Sequence, residues 1–237
     1  MLYDNHEVLF SLYSGSHLHG TNTPESDLDL RGAVWPLDQE IFGLKRFEQI
    51  EKTGAEDVVF YSLPFFIHLL VNKGNPNVHE WLWASEYEYM TEIGQEIISL
   101  RKSWLSGKVF ACGLGYLNGQ TKRMLHIAST RDLGDKRKKL VEKFGYDTKN
   151  AAHAVRIARE LTELANTGIL RVLRDDREEL IAIRNGKLGI EQAQRLVVEE
   201  TIKAEEALKL NKAGIRDRPD SEFADKWLVS AMKRHFN

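Results

Sequence analysis

The run Asp27-Leu28-Asp29-Leu30 constrains this chain more than any other. Alternation of carboxylate and leucine has the two-residue period of a β-strand, whose side chains point to opposite faces in turn. Asp27 and Asp29 therefore project from one face, while Leu28 and Leu30 turn toward a core. Two neighbouring carboxylates repel, and such a pair is held by a cation or shares a proton. Oxygen-only ligands suit a hard ion, and magnesium takes one or two protein carboxylates together with substrate phosphates. Upstream, Gly15 and Ser16 follow the apolar run Glu7–Ser14. Glycine there lets a backbone turn approach a ligand, and two amides and a hydroxyl offer donors to an anion. Taken singly, Gly15-Ser16 is equally an ordinary turn and the Asp-Leu run an exposed edge strand. Together they point to a phosphoryl-transfer site.

Around that core the N-terminal half reads as short strands and helices. Residues 7–14 predict a strand into the Gly15 turn, 27–35 a second and 55–63 a third. Arg31 falls on the face of the two aspartates, where it either pairs with their charge or binds phosphate. His17 and His19 sit in a polar turn-rich loop. Solvation is the ordinary state of such histidines, with phosphate or metal contact as the alternative. Residues 36–54 read as irregular or briefly helical, with a further strand or turn at FEQIEK. Leu63–Asn72 is an apolar helix with Pro64 in its first turn. Gly74–Asn77 is a tight turn before a helix from Val78, in which Trp81 and Trp83 are packing residues.

Beyond Glu88 the texture becomes helical, with no clear strand and a boundary expected near Trp104. Gly113, Gly115 and Gly119 are spaced for close helix packing. Lys136–Lys139 (KRKK), between Arg131 and Lys143, is the one marked basic cluster, a solvated helix face or a contact for nucleic acid or polyphosphate. Lys149, His153 and Arg156 recur at i, i+4 and i+7 and share one side of a helix. Such a stripe either clasps a triphosphate or is a surface in which Arg156 pairs with Glu160 or Asp147. The net charge of −2 gives no global drive toward nucleic acid, so any such contact rests on a local patch. Cys112, the single cysteine, excludes an internal disulfide, and its apolar surroundings predict a packed thiol. No secretory apolar region follows Met1 and no apolar run approaches the ~20 residues of a membrane span, so a cytoplasmic protein is expected.

A Gly-Ser pair, a gap of this length and Asp-x-Asp between apolar residues resemble the DNA polymerase beta-type nucleotidyltransferase superfamily. The longer form SDLDLRG (Ser26–Gly32) is similar to the RNA-ligase-associated nucleotidyltransferases of bacteria and large phages. So are DVVFYSL (Asp57–Leu63), GNPNVHEWLW (Gly74–Trp83) and GYDTKNAAHAVR (Gly145–Arg156). The resemblance implies an α+β fold, a short mixed sheet flanked by helices, as a catalytic domain over residues 1–104. A helical domain over 105–237 would complete the nucleotide site. It implies in-line attack of an acceptor hydroxyl on the α-phosphorus of a nucleoside triphosphate, with two Mg2+ (or Mn2+) ions. Asp27 and Asp29 would hold both ions, and a third carboxylate would complete the site. Asp57 opens a β-branched run and matches the family pattern; Glu56 is the rival, because one register slip exchanges faces. Gly15 and Ser16 would cradle the outgoing phosphates, with Arg31, Lys149, His153 and Arg156 as further nucleotide contacts. An RNA end is the acceptor the association suggests. A protein hydroxyl, a small molecule, or a non-catalytic nucleotide-binding role are the alternatives, and no membrane partner is expected.

Overall fold

The computed structural model describes residues 1–237 apart from 25, 45, 55, 126–134 and 237; the side chains of 135–137 also lie outside the described set. Ala55, the expected start of the third strand, and Arg131 fall outside it. The chain divides into two compact units, Met1–Val109 with Arg216–Asn237, and Phe110–Ile215.

The first unit is built on a sheet of β1 (Leu2–Tyr3), β2 (His6–Tyr13), β3 (Leu28–Val34), β4 (Gln49–Lys52), β5 (Glu56–Ser62) and β6 (Tyr89–Met90). The strand order is β1-β2-β3-β5-β4, with β6 on β2. Only the β3–β5 pair is parallel, so the sheet is mixed and the fold is α+β. Asp4 and Asn5, both at positive φ (52° and 67°), form the two-residue turn from β1 to β2. Asp and Asn tolerate that conformation, which matches the twist of paired strands. The β2–β3 ladder skips Leu9 between Val8 and Phe10. Its carbonyl accepts from the amide (2.9 Å) and hydroxyl (2.8 Å) of Thr91, which caps α4 (Glu92–Ser99). A bulge that removes one ladder bond thus docks a helix.

One sheet face carries an apolar cluster of Val8, Leu30, Val34, Ile50, Val58 and Phe60. The other lies under α2 (Leu63–His68), a π-helical turn Leu69–Lys73 and α3 (Pro76–Trp81), with Phe10 packed edge-on to Phe66 and Tyr61 stacked on Trp81. Pro64 stands in the first turn of α2, and Asn75 caps α3 through its side chain. His79 of α3 is fully buried, and its Nε2 bonds the Leu70 carbonyl at 3.0 Å. Burial holds its pKa down to about 4, so the ring is neutral. A short helix α1 (Asp38–Ile41) precedes β4. The terminal segment returns to this unit as helix α10 (Ser221–Phe236). Trp104, 1% exposed, packs against Phe223 and Trp227 and donates its indole N–H to the Ile97 carbonyl.

The second unit comprises most of α5 (Gly107–Met124), then α6 (Asp135–Phe144), α7 (Thr148–Thr167), α8 (Arg177–Arg184) and α9 (Ile190–Leu210). Its core is rich in alanine: Ala151, Ala154, Ala158 and Ala165 of α7, and Ala193, Ala204 and Ala207 of α9, are all buried. Small residues let helices approach closely, and a side chain at Gly113 would meet Leu161 at 2.6 Å, whereas Gly115 and Gly119 face open space. Only the first of the three glycines therefore serves helix packing. Cys112 is exposed, contrary to the expected packed thiol. The buried stripe of α5 runs through Phe110, Gly113, Leu117, Gln120 and Met124, and Cys112 lies off it. Arg159 ties α7 to Asp176 (2.6 Å) and Glu179 (2.7 Å), while Arg174 bridges Glu163 (2.9 Å) and Asp176 (2.8 Å). Among the described residues no helix is long and apolar enough to cross a membrane.

Candidate active site

The parallel register of β3 and β5 sets Asp29 beside Asp57 and Leu28 beside Glu56. Register partners share a face and their strands lie ~4.8 Å apart, so Asp29 and Asp57 stand next to each other at the start of the two strands. Arg31 and Tyr61 follow on the same side. Glu56 falls on the other, where the Tyr13 phenol hydrogen-bonds it; burial first, then the Glu56 charge and this bond, raise the phenol's pKa. Leu30 is 8% exposed and belongs to the apolar cluster, but Leu28 is 39% exposed. Leu28 opens the strand beyond the edge of the core, so its expected inward turn yields no burial. Asp27 precedes β3 and is exposed.

The Gly15 turn reaches this corner through the backbone: the amide of Ser14 donates to the carbonyl of Asp29 at 2.8 Å. Gly15 has φ +61°, and a Cβ there would lie 2.6 Å from Asp29 Oδ2. Glycine is thus required twice, for a left-handed conformation and for the space beside a carboxylate oxygen. The second Asp29 oxygen, Oδ1, accepts from Arg31 Nη2 at 2.9 Å. Arg31 Nη1 also donates to the backbone carbonyls of Asp57 (2.6 Å) and Leu30 (3.0 Å), which links β3 to β5 at the level of the carboxylates. Gly15, Asp29, Arg31 and Asp57 are therefore brought together in one corner. Acceptor-only oxygens on adjacent strands, with room kept open by a glycine, fit a magnesium-type cation.

The loop after Gly15 departs from its expected solvated state. Leu18 and His19 are buried, and His19 Nε2 lies 3.4 Å from Glu80 Oε2 of α3, itself buried. The apolar Leu18 beside His19, and Glu80 inside the apolar run Val78–Trp83, are the sequence signals for a loop folded inward. His17 Nε2 is buried without a hydrogen-bond partner among the described residues.

In the second unit Lys149 and His153 are half-buried along α7, and Arg156 is buried. Arg156 Nη1 donates to both Glu160 oxygens, at 3.0 and 2.9 Å. Asp147 is the N-cap of α7, accepting from the amide (3.0 Å) and side chain (2.8 Å) of Asn150.

No curated protein matches the chain. Among solved structures it is similar to a nucleotidyltransferase-like protein from Exiguobacterium sibiricum, with a TM-score of 0.33 and 11% identity over 89% of this chain and 72% of that one. The family model described as RNA repair pathway DNA polymerase beta family (RlaP) matches residues 3–230. That span takes in the paired strands with Asp29 and Asp57, the Gly15 turn and the helices of the second unit, and the chain belongs to this family of polymerase beta-type nucleotidyltransferases.

Proposed function

We propose that the chain moves a nucleoside monophosphate from a nucleoside triphosphate to a hydroxyl at an RNA end, releasing pyrophosphate. The observation that carries this reading is the register pairing of Asp29 with Asp57 beside the space kept by Gly15. Asp27, Asp29 and Asp57 would hold divalent cations, Mg2+ or Mn2+, two in number. When bound, these supply charge neutralisation at the attacking and leaving oxygens. Asp57 also stands as the acceptor of the attacking hydroxyl's proton. Arg31 fixes Asp29 relative to the β5 backbone and lends positive charge to the phosphates. The amides of Gly15 and Ser16, with the Ser16 hydroxyl, hold the outgoing phosphates.

We assign residues 1–104 to catalysis and 105–237 to a helical part with nucleotide contacts of its own. There Lys149 and His153 are the donors we assign to nucleotide, on the same helix as Arg156, which Glu160 engages. The setting in this reading is cytoplasmic.

Purified protein incubated with each of the four α-labelled nucleoside triphosphates, Mg2+ or Mn2+, and separate pools of RNA, protein and metabolites tests the proposal. Label is expected in RNA with an equal release of pyrophosphate. Label confined to protein or metabolites would replace the acceptor. Triphosphate binding with no pyrophosphate release from any combination would contradict the enzymatic reading and leave a nucleotide-binding module.

A further inference from the structure

Charge along this chain is segregated. Residues 122–143 contain eight Lys and Arg against three Asp and Glu, a net of +5 in a chain whose total is −2, so the remaining residues carry −7. A polyanion is therefore attracted to this stretch against the net charge of the rest of the chain.

The structure gives that stretch a surface within the second unit. In α6, Lys138, Lys139 and Lys143 are exposed, while Leu140, Val141 and Phe144 are half-buried. Phe144 anchors the helix: its ring sits where a side chain at Gly186, just past α8, would fall. The helix is thus held by its apolar side with lysines outward. The Lys143 ammonium lies 4.9 Å from the centroid of the Phe144 ring. At the corner into α7, the Asp147 amide donates to the Met124 carbonyl at 3.3 Å. That bond brings the end of α5, with exposed Lys122 and Arg123, to within a few residues of Lys143 and Lys149. Lysine side chains without a fixed fork suit phosphates as point charges and carry no base readout, so the surface fits the backbone of a strand.

We infer that the basic surface of α6 and the end of α5 docks the phosphate backbone of an RNA strand whose end is the acceptor. This rests on the proposed RNA acceptor and names where the rest of that RNA lies. The surface lends affinity and a strong dependence on salt, without choosing sequence.

The test is fluorescence anisotropy with a labelled 20-nucleotide single-stranded RNA over a range of salt. It compares the wild type, Lys138→Glu/Lys139→Glu/Lys143→Glu and the corresponding triple glutamine variant, with nucleoside triphosphate binding and thermal melting recorded for each. The glutamate variant is expected to bind RNA roughly 30-fold more weakly, with a log–log salt slope smaller by about 2. The glutamine variant should fall between, with triphosphate binding and melting unchanged in both. RNA affinity and salt slope unchanged in the glutamate variant, with wild type still binding and modifying RNA, would overturn the inference and leave the proposed function standing. Wild type that transfers nucleotide to another acceptor and binds no RNA would overturn both. Duplex DNA bound as tightly as RNA, with the same loss in the variants, would overturn the assignment to RNA.

Discussion

Asp29→Asn is expected to lower nucleotide transfer by about 10³-fold with little change in melting temperature. The substitution keeps the shape of the side chain and removes its charge. Its cost to the fold is small, because the Asp29 and Arg31 side chains are 29% and 19% exposed, and such partly solvated pairs contribute about 1 kcal/mol or less. Arg31 also keeps its bonds to the Asp57 and Leu30 carbonyls, so the link from β3 to β5 survives. Chemistry is affected far more: one of two adjacent carboxylates no longer balances the cations or the charge that develops at phosphorus. Pyrophosphate release alongside a melting curve separates the two effects. Full transfer by a folded Asp29→Asn protein would remove this residue from the proposed site.

Arg156→Met is expected to act on stability instead, by about 3 kcal/mol. The Arg156 and Glu160 side chains are only 8% and 4% exposed. Removing the cation takes from a buried carboxylate the guanidinium nitrogen that donates to both of its oxygens, and losing that partner carries a desolvation cost. For a chain of this size the melting temperature should fall by about 6–12 °C. Arg156→Met/Glu160→Leu, which removes both charges, should regain most of it. A single variant that melts like wild type but has a sharply raised KM for the triphosphate would instead show that Arg156 acts on phosphate and that Glu160 tolerates its loss.

The elements of this fold that sequence makes legible are those with local periodicity. The alternation in Asp27–Leu30 and the β-branched run after Asp57 announce β3 and β5, and the helix expected from Val78 is α3, which starts two residues earlier because Asn75 caps it and Pro76 opens its first turn. Two-residue strands such as β1 and β6 leave no periodic trace, because their pairing is fixed by β2 rather than by their own residues. The neighbour relation of β3 and β5 is likewise nonlocal. Asp57 and Glu56 are adjacent in sequence, and only the register, Asp29 with Asp57, puts one of them on the face of Asp29. His19 reads in sequence as a solvated loop residue because its burial depends on Glu80 some sixty residues later, and the local traces of it, Leu18 and the run around Glu80, do not say that the two meet. Cys112 shows the reverse: an apolar neighbourhood in sequence became an exposed position once the helix phase was set by Phe110, Gly113 and Leu117.

The central claim is that the Asp29–Asp57 face is the reacting face of the sheet. Its most direct test is nucleotide transfer by Asp57→Asn and Glu56→Gln, assayed side by side with matched melting curves. Transfer should be lost in Asp57→Asn and kept within a few-fold of wild type in Glu56→Gln, whose side chain lies on the Tyr13 face. Loss in Glu56→Gln with activity retained in Asp57→Asn would contradict the account and move the chemistry to the opposite face.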